Sequence, residues 1–191
     1  MGATATAVGA TPAAVTPSVS TVRRDGLRRL RRMSLSAEDL RHLRRCVELA
    51  REALDDGDEP FGSVLVDADG AVRFEDRNRV KDGDGTRHPE FEIARWAAAN
   101  LPAVQRVRAT VYTSGEHCPM CAAAHGWVGL GRIVYAASSK QLITWQTEWG
   151  STPPPVVPLQ INAVAPRIPV DGPAPDLEDE MKSLYEAAFR P

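Results

Sequence analysis

Two short stretches of the sequence hold side chains that could do chemistry together. "TSGEHCPMCAAAHGW", residues 113–127, contains Cys118 and Cys121 in C-x-x-C spacing, with His117 beside the first cysteine and His125 four residues after the second. Thirty residues upstream lies His88-Pro89-Glu90. One imidazole and two thiolates form the ligand set of a catalytic zinc, which keeps its fourth position open. Glu90, two residues from His88, would sit near such an ion without binding it, where a proton shuttle belongs. Two other readings use the same residues. A redox C-x-x-C would need no His-x-Glu, and a purely structural zinc would need a fourth protein ligand such as His117 or His125.

Both stretches must open helices for these side chains to meet. "RATVYTS" reads as a strand and "CPMCAAAHGWVGLG" as the helix after it, with Pro119 tolerated in the first turn. "HPEFEIARWAAANL" reads as a helix that ends near Pro102. Reactive groups of α/β sheets gather where strands end and helices begin, and a helix N-terminus lowers a thiol pKa. Upstream, "SAEDLRHLRRCVELAREALDD" places Leu40, Leu43, Val47, Ala50 and Leu54 on one helical face. Ser36 caps that helix, Asp39 stands three residues on, Cys46 lies beside the apolar face as a core residue, and His42 is expected at the surface. "SVLV" and "AVRF" around "DADG" form a hairpin, and "RIVYAA" is a further strand. Helices alternating with single strands imply parallel pairing, so the expected fold is a three-layer α/β/α sandwich with a mixed sheet. "LQINAV" is expected as a short strand in an otherwise irregular proline-rich arm, and "PDLEDEMKSLYEAAFR" as a terminal helix.

Composition narrows the setting. The chain has 191 residues and three cysteines, too few for a disulfide framework, which suggests a reducing, cytoplasmic location. No apolar run is long enough for a membrane helix. Residues 1–32 carry six arginines and one acid, net +5, so the rest of the chain carries −7 of the total −2. An acidic body makes nucleic acid a poor partner. Residues 1–32, rich in Ala, Thr and Pro and then in Arg, read as a disordered tail dispensable for activity, and 33–191 as the functional domain.

The segments "EPFGSVLV", "EDRN", "HPE", "TSGEHCPMCAAA" and "RIVYAA" together resemble the cytidine deaminase superfamily, on the branch of bacterial guanine deaminases, cytosine deaminases and tRNA adenosine deaminases. The resemblance covers residues 36 to 140. It implies a cytidine-deaminase-like fold, zinc held by His88, Cys118 and Cys121, and Glu90 as the proton shuttle. It puts Asn78 against the substrate ring and Phe61 in the pocket wall, with backbone near Gly62, Ser63, Glu116 and His117 also in reach. The reaction implied is hydrolytic: an exocyclic amine leaves a small aromatic N-heterocycle as ammonia. The substrate would be guanine, cytosine, a related triazine or a nucleoside. His117 departs from the family pattern, which has proline there. The aspartate-rich run of guanine deaminases is also missing, and "SSKQLITWQTEWGS" replaces it, with Trp145 and Trp149 expected at the pocket mouth. Two alternatives are a tRNA adenosine deaminase, which should carry basic surface, and a zinc-stabilised binding module without catalysis. The resemblance also implies a homodimer with the C-terminal helix near a pocket mouth. On that expectation, deleting residues 174–191 raises KM more than it disturbs zinc.

Overall fold

The computed structural model describes residues 35–191; the tail expected over residues 1–32 lies outside them. The first helix, α1 (Ala37–Asp55), begins at the capping box read from the sequence. Ser36 Oγ accepts from the Asp39 amide at 3.0 Å, and Asp39 Oδ2 accepts from the Ser36 amide at 2.9 Å. Leu43, Val47 and Ala50 are buried as expected, and so is Cys46.

His42 is not a surface residue: only 3% of it is exposed, and its ring centroid lies 4.8 Å from that of Tyr112. The buried stripe of α1 is rotated towards Asp39, His42 and Cys46, because Asp39 is itself tied into the body. Its carboxylate accepts Tyr112 Oη at 3.0 Å and Arg132 Nη1 at 2.7 Å. Arg132 Nε donates in turn to Asp171. Burial alone would raise the Asp39 pKa, but Arg132 and the Ser36 bonds overcome it and hold it at about 2, against an ordinary 3.8. A depressed carboxylate pKa contributes stability that is complete above the unfolded value and lost as pH falls through the folded one. Asp39→Asn should therefore lower the melting temperature at pH 7, and the gap to the native protein should narrow from pH 4 towards 2. Thermal melts across that range check this; a gap that stays constant with pH would show that the carboxylate charge is not what stabilises.

The sheet is mixed, as expected. Strands β1 (Gly62–Val66) and β2 (Val72–Arg77) form the hairpin, β3 (Thr110–Gly115) pairs antiparallel to β1, β4 (Arg132–Ala137) runs parallel to β3, and β5 (Val170–Asp171) parallel to β4. The order is β2-β1-β3-β4-β5. In the hairpin turn Asp67 Oδ1 accepts from the amides of Asp69 and Ala71, and Gly70 takes the positive φ of +83°.

Strand alternation builds the two outer layers. Val64, Val66, Tyr112 and Val134 pack with α1 and with the terminal helix α7 (Glu178–Phe189). Leu65 and Val111 point the other way, into Ile93, Ala94 and Ala97 of α2 (Pro89–Asn100). A short helix α3 (Ala103–Arg106) follows α2, and α4 (Pro119–Val128) packs against α2. The α1–β1 approach depends on Gly62: a Cβ there would lie 2.4 Å from Leu49 Cβ and 2.6 Å from the Cys46 carbonyl.

Two features differ from the sequence reading. The run 139–149, given no element there, is helix α5 (Ser139–Trp149), capped by Ser138 and Gln141. "LQINAV" is not a strand: Ile161–Val164 is a single helical turn, α6, and the fifth strand lies at Val170–Asp171. Ile161 is fully buried against Ala122 and Ile133, and one inward-pointing residue in four needs no strand. The C-terminal helix, expected from the sequence, is part of the core of its own domain. Ala174, Leu177, Met181, Leu184 and Tyr185 lie in the same apolar cluster as α1. Deleting 174–191 would remove part of the core, so a clean KM effect is no longer the expected result.

Candidate metal centre and active site

The centre is built from two helix starts. His88 is the residue before α2 and Cys118 the residue before α4, each in extended conformation with proline at the first helical position. Proline there fixes φ and sacrifices an amide that would be unpaired anyway. Cys121 lies in the first turn of α4 and is fully buried. His88 Nδ1 is 3.7 Å from Cys118 Sγ and 3.6 Å from Cys121 Sγ, and all three ligand atoms lie within 4.8 Å of one another. A tetrahedral zinc with bonds of about 2.0 Å to nitrogen and 2.3 Å to sulfur sets N···S edges of roughly 3.6 Å, so these three residues fit the ion.

Electrostatics prepare the same atoms. The Cys121 thiol donates to Cys118, and His88 also bonds it; despite burial, Cys118 is held down at about 4. Cys121 is pushed up, because it keeps the shared proton and is buried. His88 loses charge stability by burial, but the Cys118 thiolate and Glu90 bring it up to about 9. The lowered Cys118 pKa favours the thiolate there, the form that binds metal.

Glu90 is 5% exposed on the first turn of α2. Its Oε1 accepts from Ser63 Oγ of β1 at 2.9 Å and Thr113 Oγ1 of β3 at 2.7 Å. Two strands thus fix the carboxylate, and both bonds fall on the same oxygen.

His88, Glu90 and Cys118 open onto a cavity of about 440 Å³. Phe61 lines it, as the resemblance implied, and packs on Tyr185 and Phe189 with centroids 5.5 and 6.5 Å away. Asn78 is fully buried, its amide N–H donates to the Phe61 carbonyl at 2.9 Å, and neither its side-chain Oδ1 nor Nδ2 has a hydrogen-bond partner. Asn78 is not itself among the cavity's lining residues.

Trp145 and Trp149, expected at the pocket mouth, are placed elsewhere. Trp145 is a buried core residue with its centroid 6.2 Å from Tyr185, and Trp149 packs against the same cluster. The face of α5 that lines the cavity is Ser139, Leu142, Ile143 and Gln146. That i, i+3, i+4, i+7 pattern was available in "SSKQLITWQ"; the two large rings drew the reading to the adjacent face.

Sequence reasoning also gave no side-chain role to Glu116, or to Phe189, both of which line the cavity. Glu116 accepts from the Ser139 amide at 2.9 Å and the Ile161 amide at 3.2 Å, so it ties the starts of α5 and α6 to the end of β3. No local pattern signals such a contact.

His117 and His125 are buried with ring centroids 5.5 Å apart, and His125 Nε2 lies 2.9 Å from the Gly131 carbonyl oxygen. The ligand group does not extend to either, so the arrangement matches a three-ligand site and not a closed structural one.

Comparison with known proteins agrees with this geometry. A probable cytosine deaminase of Schizosaccharomyces pombe is 33% identical over 146 residues, 76% of this chain and 89% of the relative. A guanine deaminase of Bacillus subtilis is 41% identical over 97 residues, 50% of this chain and 62% of that one. The solved guanine deaminase from Nitrosomonas europaea shares the fold at a TM-score of 0.58, with 23% identity, over 82% of this chain and 86% of that one. The family profile described as the cytidine and deoxycytidylate deaminase zinc-binding region matches residues 36–137, which include β1 to β4, His88, Glu90 and both cysteines, and the chain belongs to that family.

Proposed function

We propose that this protein is a zinc-dependent hydrolytic deaminase of a small, uncharged aminoheterocycle, a free base or a nucleoside. The observation that carries this is the convergence of His88, Cys118 and Cys121 at 3.6–3.7 Å beside the buried Glu90, at the wall of one cavity. His88 Nδ1 and the two sulfurs hold the ion. Zinc bound there supplies the Lewis acidity that makes water nucleophilic near neutral pH.

The remaining work falls to side chains of this chain. With Oε1 of Glu90 held by Ser63 and Thr113, Oε2 is the oxygen assigned to proton transfer. It takes the proton of the attacking water, delivers it to a ring nitrogen and then assists the leaving amine. Phe61 offers a flat apolar surface for the ring, and Phe189 and Leu142 help to exclude water. Asn78 is assigned to the ring on the family resemblance; it does not line the cavity, and its unpartnered Oδ1 and Nδ2 are the groups a ligand would have to reach.

The cavity wall favours an uncharged substrate. Among the described residues it contains Glu59, Glu90 and Glu116 and neither lysine nor arginine. Away from the metal ligands, a phosphoryl group would meet carboxylates and no lysine or arginine of the described wall, which disfavours nucleotides. The same feature argues against a tRNA substrate, together with the −7 carried by residues 33–191. No described helix is long and apolar enough to cross a membrane. The homodimer implied by the resemblance remains part of this proposal, with light scattering as its measurement.

An ammonia-release screen over guanine, cytosine, adenine, their nucleosides, deoxycytidylate and aminotriazines tests the reading. Release from a base or nucleoside is expected. Release from deoxycytidylate alone would overturn the uncharged-substrate assignment, and release from none of them would overturn the deaminase reading.

A further inference from the structure

Gln146 is the one carboxamide among the described residues that line the cavity. Its Oε1 is shut away from solvent and has no hydrogen-bond partner. Its nearest wall neighbours on α5, Leu142 and Ile143, have side chains with nothing to bond, and Ser139 at the start of the helix adds a single hydroxyl. A buried carbonyl left unpaired costs more than a made bond returns, so a cavity-lining glutamine whose Oε1 has no partner gains by turning that oxygen to a ligand that pairs it.

The chemistry of that ligand follows from the inventory of the wall. Glu59, Glu90 and Glu116 accept hydrogen bonds when ionised and cannot satisfy a ring carbonyl; of the two lining hydroxyls, Thr86 Oγ1 already donates to Asp84, and Ser139 offers one donor without the paired acceptor of an amide. A carboxamide presents a donor and an acceptor side by side, and its terminal torsion is broad and two-fold, so either end can turn to the ring. The complement is a ring N–H next to a C=O, a lactam edge.

We infer that Gln146 is a specificity-determining residue that reads the lactam edge of a free aminoheterocycle. This rests on the deaminase reading above and adds to it. Among the candidate rings, free cytosine and guanine carry such an edge in addition to their exocyclic amine. Cytidine lacks it, because the sugar replaces the ring N–H.

Matched probes separate the lactam from the amine. Cytosine and 4-aminopyrimidine share the amine and differ in the lactam; guanine and 2-aminopurine do the same. Binding is measured by calorimetry on the full-length, zinc-loaded Glu90→Gln protein, which does not consume the probe. The lactam member of at least one pair should bind about 10- to 100-fold more tightly, the worth of roughly two neutral hydrogen bonds. Adding Gln146→Leu should reduce that ratio to below about threefold, with zinc content and melting temperature unchanged. Gln146→Glu keeps the size and should also reduce it, because a carboxylate accepts from the N–H and repels the carbonyl. Failure of all four probes to bind, equal binding within both pairs, or a preference that survives both substitutions would overturn the inference. The deaminase reading is judged separately by ammonia release from the native enzyme. Turnover without a lactam preference removes only the role of Gln146.

Discussion

Glu90→Gln is expected to keep its zinc and its fold and to lose about two to four orders of magnitude in kcat, the usual worth of a positioned general acid–base. The substitution isolates the proton. Gln is nearly the same size, and its carbonyl can still accept the hydroxyls of Ser63 and Thr113 that now meet Oε1 at 2.9 and 2.7 Å. The strands β1 and β3 should therefore hold the side chain where they hold it now. The amide cannot take up a proton or return one, so both the activation of water and the departure of the amine suffer. Binding of the ring should survive, because Phe61, Asn78 and Gln146 are untouched. The measurements are steady-state kinetics, zinc per chain and a melting curve on the same preparation. A kcat within about tenfold of the native value, with zinc in place, would show that some other group moves the proton.

The second large effect concerns the metal. Cys121→Ala should reduce zinc from about one ion per chain to a trace after dialysis, and abolish turnover with it. Two ligands remain, His88 and Cys118, and two cannot close a stable tetrahedral site. The loss should exceed the roughly 10- to 100-fold typical of removing a group that only orients a ligand. Cys118 also loses the thiol that now lowers its pKa, so the remaining thiolate becomes less available at neutral pH. Elemental analysis reads the zinc, and circular dichroism checks that the helices persist. Cys118→Ser, at a less buried position, provides a second variant if the alanine protein does not fold. Full zinc occupancy in both variants would remove the two cysteines from the ligand set.

The candidate centre was legible in the sequence because its signals are local. His88-Pro89-Glu90 and Cys118-Pro119-Met120-Cys121 each announce a helix start, and a helix start fixes where its first side chains point. The mixed sheet was legible for the same kind of reason: the hairpin turn at "DADG" and the alternation of single strands with helices are short-range patterns. The Ser36–Asp39 cap needed only four residues and was read correctly.

Tertiary packing decided the rest. Asp39 could be read as a cap, but its second role, joining Arg132 and Tyr112, depends on residues 93 and 73 positions away. That tie rotates α1 and buries His42, which hydropathy alone puts outside. The choice between faces of α5 was likewise not local. Trp145 and Trp149 look like pocket residues until Tyr185 and the terminal helix arrive on their side and claim them for the core. The opposing wall then falls to Leu142, Ile143 and Gln146, and a cavity exists only because elements distant in sequence enclose it. Sequence by itself determined the fold class and which residues stand at the two helix starts, the candidate ligands and the candidate proton shuttle among them, since these follow from residue chemistry and short-range geometry. Only the tertiary structure decided which side chains line the cavity, because that depends on which helix face the rest of the core leaves unburied.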